Sequence, residues 1–251
     1  VIEQKQEERD TPPLWCFIGD MHTGGQTALV TDPRNNPQQD WLIGRWKYTT
    51  KEIIRRARGH EFGLRLGGDL VDLPGLAARD MAYDLLRPLV NRADKNIYGV
   101  PGTEYHVGEN GDEDRSIYGQ CAAKVRQFFR LQTAGKVVHW AHHLVKVGNT
   151  PWTELNGMKQ AAESAYFTAL QTGERQPDLI VGHHVHRVPH QSPIIWRNIT
   201  VAIAPCWQLP TSFAAKVAAG KPPTIGALLY YPAEHRTEYI THDIPEKIAF
   251  S

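Results

Sequence analysis

Short apolar runs alternate with longer amphipathic stretches through most of the chain, and each run stops abruptly on polar residues. Runs at 14–19, 61–67, 96–100, 136–147 and 178–186 have the length and composition of buried strands. Between them, apolar residues return with helical spacing: Leu42, Trp46, Ile53 and Ala57 predict a helix over 38–58, and Met81, Leu85 and Leu89 one over 76–92. Ile117, Val125, Phe128 and Phe129 predict a helix over 116–131, and a further helix is expected over 157–172. The last stretches, 194–204, 225–231 and 237–242, alternate or run apolar like strands of a second sheet. Strands that alternate with helices early and follow one another late imply two sheets packed face to face, with helices outside.

Proline and asparagine at 26–37 and glycine and acidic residues at 108–114 mark loops, the second expected to be a solvated acidic one. Residues 1–13 are polar, end in Thr-Pro-Pro, and are expected on the surface. A chain of 251 residues is long enough for one large domain, taken here as 1–251.

Composition narrows the classes. The chain is 41% hydrophobic and 22% charged, as soluble globular proteins are. A net charge of +1 excludes a general electrostatic attraction to nucleic acid or membrane, though Lys47, Lys51 and Arg55 form a local basic row at helical spacing. No apolar run is long enough to span a bilayer. Cys16, Cys121 and Cys206 are far apart and form no Cys-x-x-Cys pair, so neither a disulfide framework nor a thiolate zinc site is expected. A reducing compartment, the cytoplasm, is the expected location.

The chemistry lies where the runs stop. The first ends in Asp20-Met21-His22, the second in Gly68-Asp69-Leu70-Val71-Asp72, the fourth in His142-His143 and the fifth in His183-His184-Val185-His186. On an extended strand end, His184 and His186 at i, i+2 would point to one side. Carboxylate oxygens and imidazole nitrogens gathered at strand ends suit Mn, Fe, Zn or Ni. A two-metal hydrolytic centre follows, in which cations neutralise a phosphate ester, clamp its attacking and leaving oxygens, and supply a metal-bound hydroxide as nucleophile. Asp69 has two oxygens with which to bridge, and Asp72 is placed to orient a ligand. His60, His139, His190, His235 and His242 have no such company and read as structural.

In order, Asp20-x-His22, Gly68-Asp69-x-x-Asp72, Gly102-Thr103-Glu104-Tyr105-His106, His142-His143 and His184-x-His186 resemble the five blocks of the calcineurin-like metallophosphoesterases. The resemblance implies an α/β fold of two mixed β-sheets packed as a sandwich and flanked by helices, with two divalent metal ions, Mn first, at the strand ends. It implies that Asp20, His22 and His186 hold one metal, that Asp69 bridges, and that His184 with His142 or His143 holds the other. The third block departs from the pattern, with Thr103 where the family has Asn and Glu104 where it has His. His106 would restore a catalytic imidazole supported by Asp72, and Thr103 and His183 would meet the substrate. The implied activity is hydrolysis of phosphate esters, with phosphodiesters of nucleic acid or nucleotide type ahead of monoesters and phosphoproteins. The rival is a metal-binding pseudoenzyme acting as a scaffold.

Overall fold

In the computed structural model, which describes residues 11–33, 36–72, 75–108, 111–150, 152–211 and 221–249, two mixed sheets pack face to face. The first contains β1 (Pro13–Ile18), β2 (Glu61–Leu66), β3 (Ile97–Gly99), β4 (Lys124–Val125), β10 (Ile225–Tyr231) and β11 (Arg236–His242), in the order β11-β10-β1-β2-β3-β4. The second contains β5 (Phe129–Thr133), β6 (Lys136–Trp140), β7 (Leu179–Gly182), β8 (Ile194–Trp196) and β9 (Ile199–Ile203), in the order β5-β6-β7-β9-β8. β1 to β4 are parallel neighbours, as are β6, β7 and β9, while β10, β11, β5 and β8 add antiparallel edges.

Alternation decides which residue meets which layer. Trp15, Phe17, Val138, Trp140, Leu179, Val181, Ala202, Leu228 and Tyr230 form one cluster between the sheets. Their chain neighbours Leu14, Cys16 and Ile18 face instead a cluster shared with α1 (Pro37–Arg56) and α2 (Leu76–Ala93). On the other flank, Ile180, Val201 and Ile203 meet Met158 and Ala162 of α5 (Asn156–Thr172). The central strands are therefore apolar on both faces, which is why they read as continuous runs.

Three expectations give way. The helix over 116–131 does not form: α4 (Asp112–Gln120) stops at Cys121, and β4 and β5 follow. Phe129 instead stacks on Trp140 between the sheets, so tertiary burial overrides a helical-looking spacing. The acidic stretch 112–114 is the first turn of α4, and Glu113 and Asp114 are buried. Finally, β10 and β11 extend the first sheet, with β10 beside β1; only β8 and β9, a hairpin over 194–203, join the second. Of the N-terminal segment, 1–10 lie outside the described residues, and Pro13 already begins β1. Short helices α3 (Glu104–Val107) and α6 (Glu246–Ala249) and a 3₁₀ turn at Pro232–Glu234 complete the described elements.

Candidate metal centre

The loops after β1, β2, β6 and β7 meet at one end of the two sheets. After β1 and β2 the backbones stay paired, Asp20 N donating to Gly68 O at 2.8 Å and His22 N to Asp69 O at 2.9 Å. This keeps Asp20, His22 and Asp69 side by side beyond the sheet. Asp20, His22 and Asp69 each adopt φ 48°, His184 φ 70° and His186 φ 53°. Five residues of the expected ligand set thus lie in the left-handed region, which Asp and His tolerate better than most residues. The extended strand end expected for His184 and His186 is corrected here: β7 ends at Gly182, and left-handed bends aim the two rings. Such bends cost roughly 1 kcal/mol or more each and persist because the surrounding contacts fix them.

One group of donors is Asp20, His22 and His186; another is Asp20, Asp69, His142 and His184. His22 Nε2 and His186 Nε2 are 3.0 Å apart, and His186 Nε2 is 3.4 Å from Asp20 Oδ1. His142 Nε2 is 3.1 Å from Asp69 Oδ2 and 3.9 Å from Asp20 Oδ1, while its Nδ1 faces the Gly67 carbonyl. The alternatives for the fourth block both reach the centre. His142 is buried against Asp69, and His143, exposed, places its ring 4.3 Å from that of His184.

The electrostatics fit a cation site. Burial alone would raise the Asp20 and Asp69 carboxyls, but the surrounding imidazoles hold both below the usual carboxylate range. Burial alone would lower His142, yet Asp69 and Asp20 push it up to about 9. Burial lowers His22, and it lowers His143 to about 4. Two buried carboxylates ringed by imidazole nitrogens are the donor set that a divalent cation of the Mn, Fe, Zn or Ni kind takes.

A second ring of contacts orients these groups. Asp72 Oδ1 lies 3.4 Å from His22 Nδ1 and 3.2 Å from His106 Nδ1, so one carboxylate faces two imidazoles. Hydrogen bonding to Asp72 raises His106, and the two histidines keep Asp72 low. Thr103 donates its N–H to Asp69 Oδ1 at 2.6 Å and its hydroxyl to Asp69 Oδ2 at 3.0 Å, with His184 Nδ1 at 3.3 Å. Glu104 is exposed. His183, expected at the substrate, is fully buried beside Asp20 because Gly19 and Gly67 leave room for its ring.

Asp114, expected only as part of a solvated acidic loop, reaches the back of the centre. Fully buried, it accepts hydrogen bonds from Asp69 N and Leu70 N, each at 3.0 Å, and from Gly102 N at 2.9 Å. It ties the second block to the third. Burial and the nearby Asp69 charge push it up to about 7, against the pull of its N–H donors. The signal was an acid at the start of a helix, which helices use routinely.

Outside the centre, other expectations resolve simply. His242 meets Thr49 at 2.7 Å, His60 the Pro12 carbonyl at 3.1 Å and His235 the Tyr230 hydroxyl at 3.0 Å. Lys47, Lys51 and Arg55 are exposed on α1, and Arg55 is held by Glu52 at 2.7 and 2.8 Å. The three cysteines are buried and free. Among the described residues no helix is long and apolar enough to cross a membrane.

No protein-family model and no curated protein matches the chain. Among solved structures it is similar to an archaeal phosphodiesterase, at 8% identity over 91% of this chain and 99% of that one, with a TM-score of 0.45. It is also similar to Vps29 of Chaetomium thermophilum, at 11% identity over 92% and 95% with a TM-score of 0.42. A third is the NAD nucleotidase of Haemophilus influenzae, at 9% identity over 92% of this chain and 50% of that one, with a TM-score of 0.42. The chain itself combines the block order, the pair of mixed sheets and the clustered donors that its resemblance to the calcineurin-like metallophosphoesterases implies, with the third block altered.

Proposed function

We propose that the chain hydrolyses phosphate esters with two divalent cations, Mn first, and prefers phosphodiesters of nucleotide or nucleic acid type. The observation that carries the reading is the convergence of buried Asp20 and Asp69 with His22, His142, His184 and His186 from four separate loops. Asp20, His22 and His186 would hold one cation and His142 with His184 the other, Asp69 lying between, with His143 beside the second. Bound there, the cations would neutralise the phosphate and bring the pKa of water down toward neutrality.

The chain's own groups do the rest. Asp20, Asp69 and His142 form a buried floor, whereas His106, His184 and His186 are partly exposed and line the side from which an ester enters. Asp72 Oδ1 faces His106 Nδ1 at 3.2 Å, which makes Nε2 the nitrogen that would give a proton to the leaving oxygen. The bond to Asp72 raises His106 above the ordinary imidazole value, which favours the form that carries the proton. Thr103 steadies both oxygens of Asp69, one through its N–H and the other through its hydroxyl. The preference for diesters rests on the exposed Lys47 and Lys51, and the cytoplasm on the three unpaired cysteines.

The test is hydrolysis of bis-p-nitrophenyl phosphate by chelated protein, before and after Mn²⁺ is added. Turnover that appears only with Mn²⁺ is expected. Turnover of p-nitrophenyl phosphate alone would move the reading to a monoesterase or protein phosphatase. Two bound equivalents of metal with neither ester cleaved would favour the pseudoenzyme scaffold, which the replacement of Asn and His by Thr103 and exposed Glu104 makes the second reading.

A further inference from the structure

We propose that His183 is a positioning residue of this centre, an imidazole built in behind the ligands to hold the Asp20 carboxylate and the His142 ring in register. The inference rests on the two-metal reading.

His183 is fully buried, and two glycines accommodate it. A Cβ on Gly67 would lie 2.0 to 2.4 Å from three ring atoms, and one on Gly19 would lie 2.7 Å from Nδ1. Both glycines belong to strand-to-loop junctions that carry ligands, Gly19 before Asp20 and Gly67 before Gly68-Asp69. The ring occupies the space between them. Its plane is 10° from that of His142, with centroids 6.2 Å apart, and its backbone N–H donates to the His142 carbonyl at 3.0 Å. Nδ1 lies 3.5 Å from Asp20 Oδ2, at the outer limit of a hydrogen bond.

Among the described residues neither ring nitrogen makes a standard hydrogen bond. An apolar ring would fill the same space without burying two polar atoms, so a mere filler would be a poor choice of side chain. Among the described residues Asp20 is the carboxylate that faces Nδ1, and the proton is accordingly assigned to that nitrogen. The next residue adds to the same restraint: His184 N donates to Asp20 Oδ1 and Oδ2 at 3.1 Å each. Asp20 is thereby gripped from behind, with Oδ1 turned toward His186. Orienting groups behind metal ligands are commonly worth 10- to 100-fold in metal affinity.

The test compares wild type with His183→Phe, which keeps a ring and loses both nitrogens, and His183→Gln, which restores an N–H. Mn²⁺ dissociation constants are measured on chelated protein by competition with a chromophoric chelator, and melting is followed in excess chelator. The expected result is Mn²⁺ binding weakened about 10- to 100-fold in His183→Phe, with metal-free melting little changed, and partial recovery in His183→Gln. Unchanged affinity in a folded His183→Phe protein would overturn the proposal. Should that variant not fold, imidazole ¹H–¹⁵N spectra of wild type decide: a proton on Nδ1 is expected, and one on Nε2 would overturn it. Wild type that binds no Mn²⁺ tightly would sink the two-metal reading instead, a failure that the metal-free spectrum keeps separate.

Discussion

Gly67 and His183 show how one side chain at the centre depends on the absence of another. Because a Cβ at 67 would sit inside the His183 ring, Gly67→Ala should destabilise the metal-free protein by about 3 kcal/mol in urea unfolding. Removing the obstacle should recover part of that loss. The double variant Gly67→Ala with His183→Gly is expected to be more stable than the sum of its parts by about 1 kcal/mol or more. Additive losses would mean that the two positions do not meet. Asp114 makes a similar point with polarity. Asp114→Asn would turn an amide N–H₂ toward backbone donors, so a loss of about 2 kcal/mol is expected in the same unfolding assay. Mn²⁺ affinity should fall with it, since Asp69 would no longer be fixed from behind.

At the scale of elements, the ends of helices and strands carry more information than their middles. Asn36 caps α1 by accepting from Gln38 N at 3.0 Å and Gln39 N at 3.2 Å, with Pro37 in the first turn. Asn36→Ala should therefore cost about 1 kcal/mol, read as a shift in the urea midpoint at constant slope. The elements legible in the sequence, among them β1, β2, β3, β6, β7, α1, α2 and α5, were those with sustained periodicity or a full apolar run. The region 116–131 failed because Val125, Phe128 and Phe129 satisfy helical spacing by accident. Phe129 is buried by Trp140 on a neighbouring strand, a contact that no local window contains. The same holds for β10: its sequence declares a strand, and only the register of Trp15 opposite Tyr230 places it beside β1.

For the whole molecule, two solution tests follow. Ligands that bind only the folded chain stabilise it by mass action, so Mn²⁺ at about 100 times its dissociation constant should add about 2.7 kcal/mol, which excess chelator removes. An unchanged melting temperature would contradict a folded-state metal centre. The second concerns His139 on β6, whose pKa burial lowers to about 4, with the nearby Arg130 adding to the effect. Its folded value lies below the unfolded value of about 6.5, so the unfolded chain takes up the proton first. The contribution is complete above pH 6.5 and is lost as the pH falls from there to about 4. Allowing for partial exposure, on the order of 1–2 kcal/mol is at stake. His139→Gln should flatten the stability profile in that window, measured by urea unfolding in chelator.

The sequence by itself determined the architecture and marked the candidate donors that it carries. Apolar runs of strand length, ending on Asp20, Asp69, His142 and His184, already imply buried strands whose exits carry donors of the kind that cations take, because periodicity and donor chemistry are local properties. Where each side chain points was decided only in three dimensions. The left-handed bends at Asp20, His22, Asp69, His184 and His186 are held by pairing between distant loops. The burial of His183 depends on glycines more than a hundred residues away, at 19 and 67. The role of Asp114 depends on α4 packing beneath the second block, so that an acid which would otherwise be solvated receives three backbone N–H groups. Each is an interaction of high sequence separation, and its energy exists only once the chain has brought the partners together.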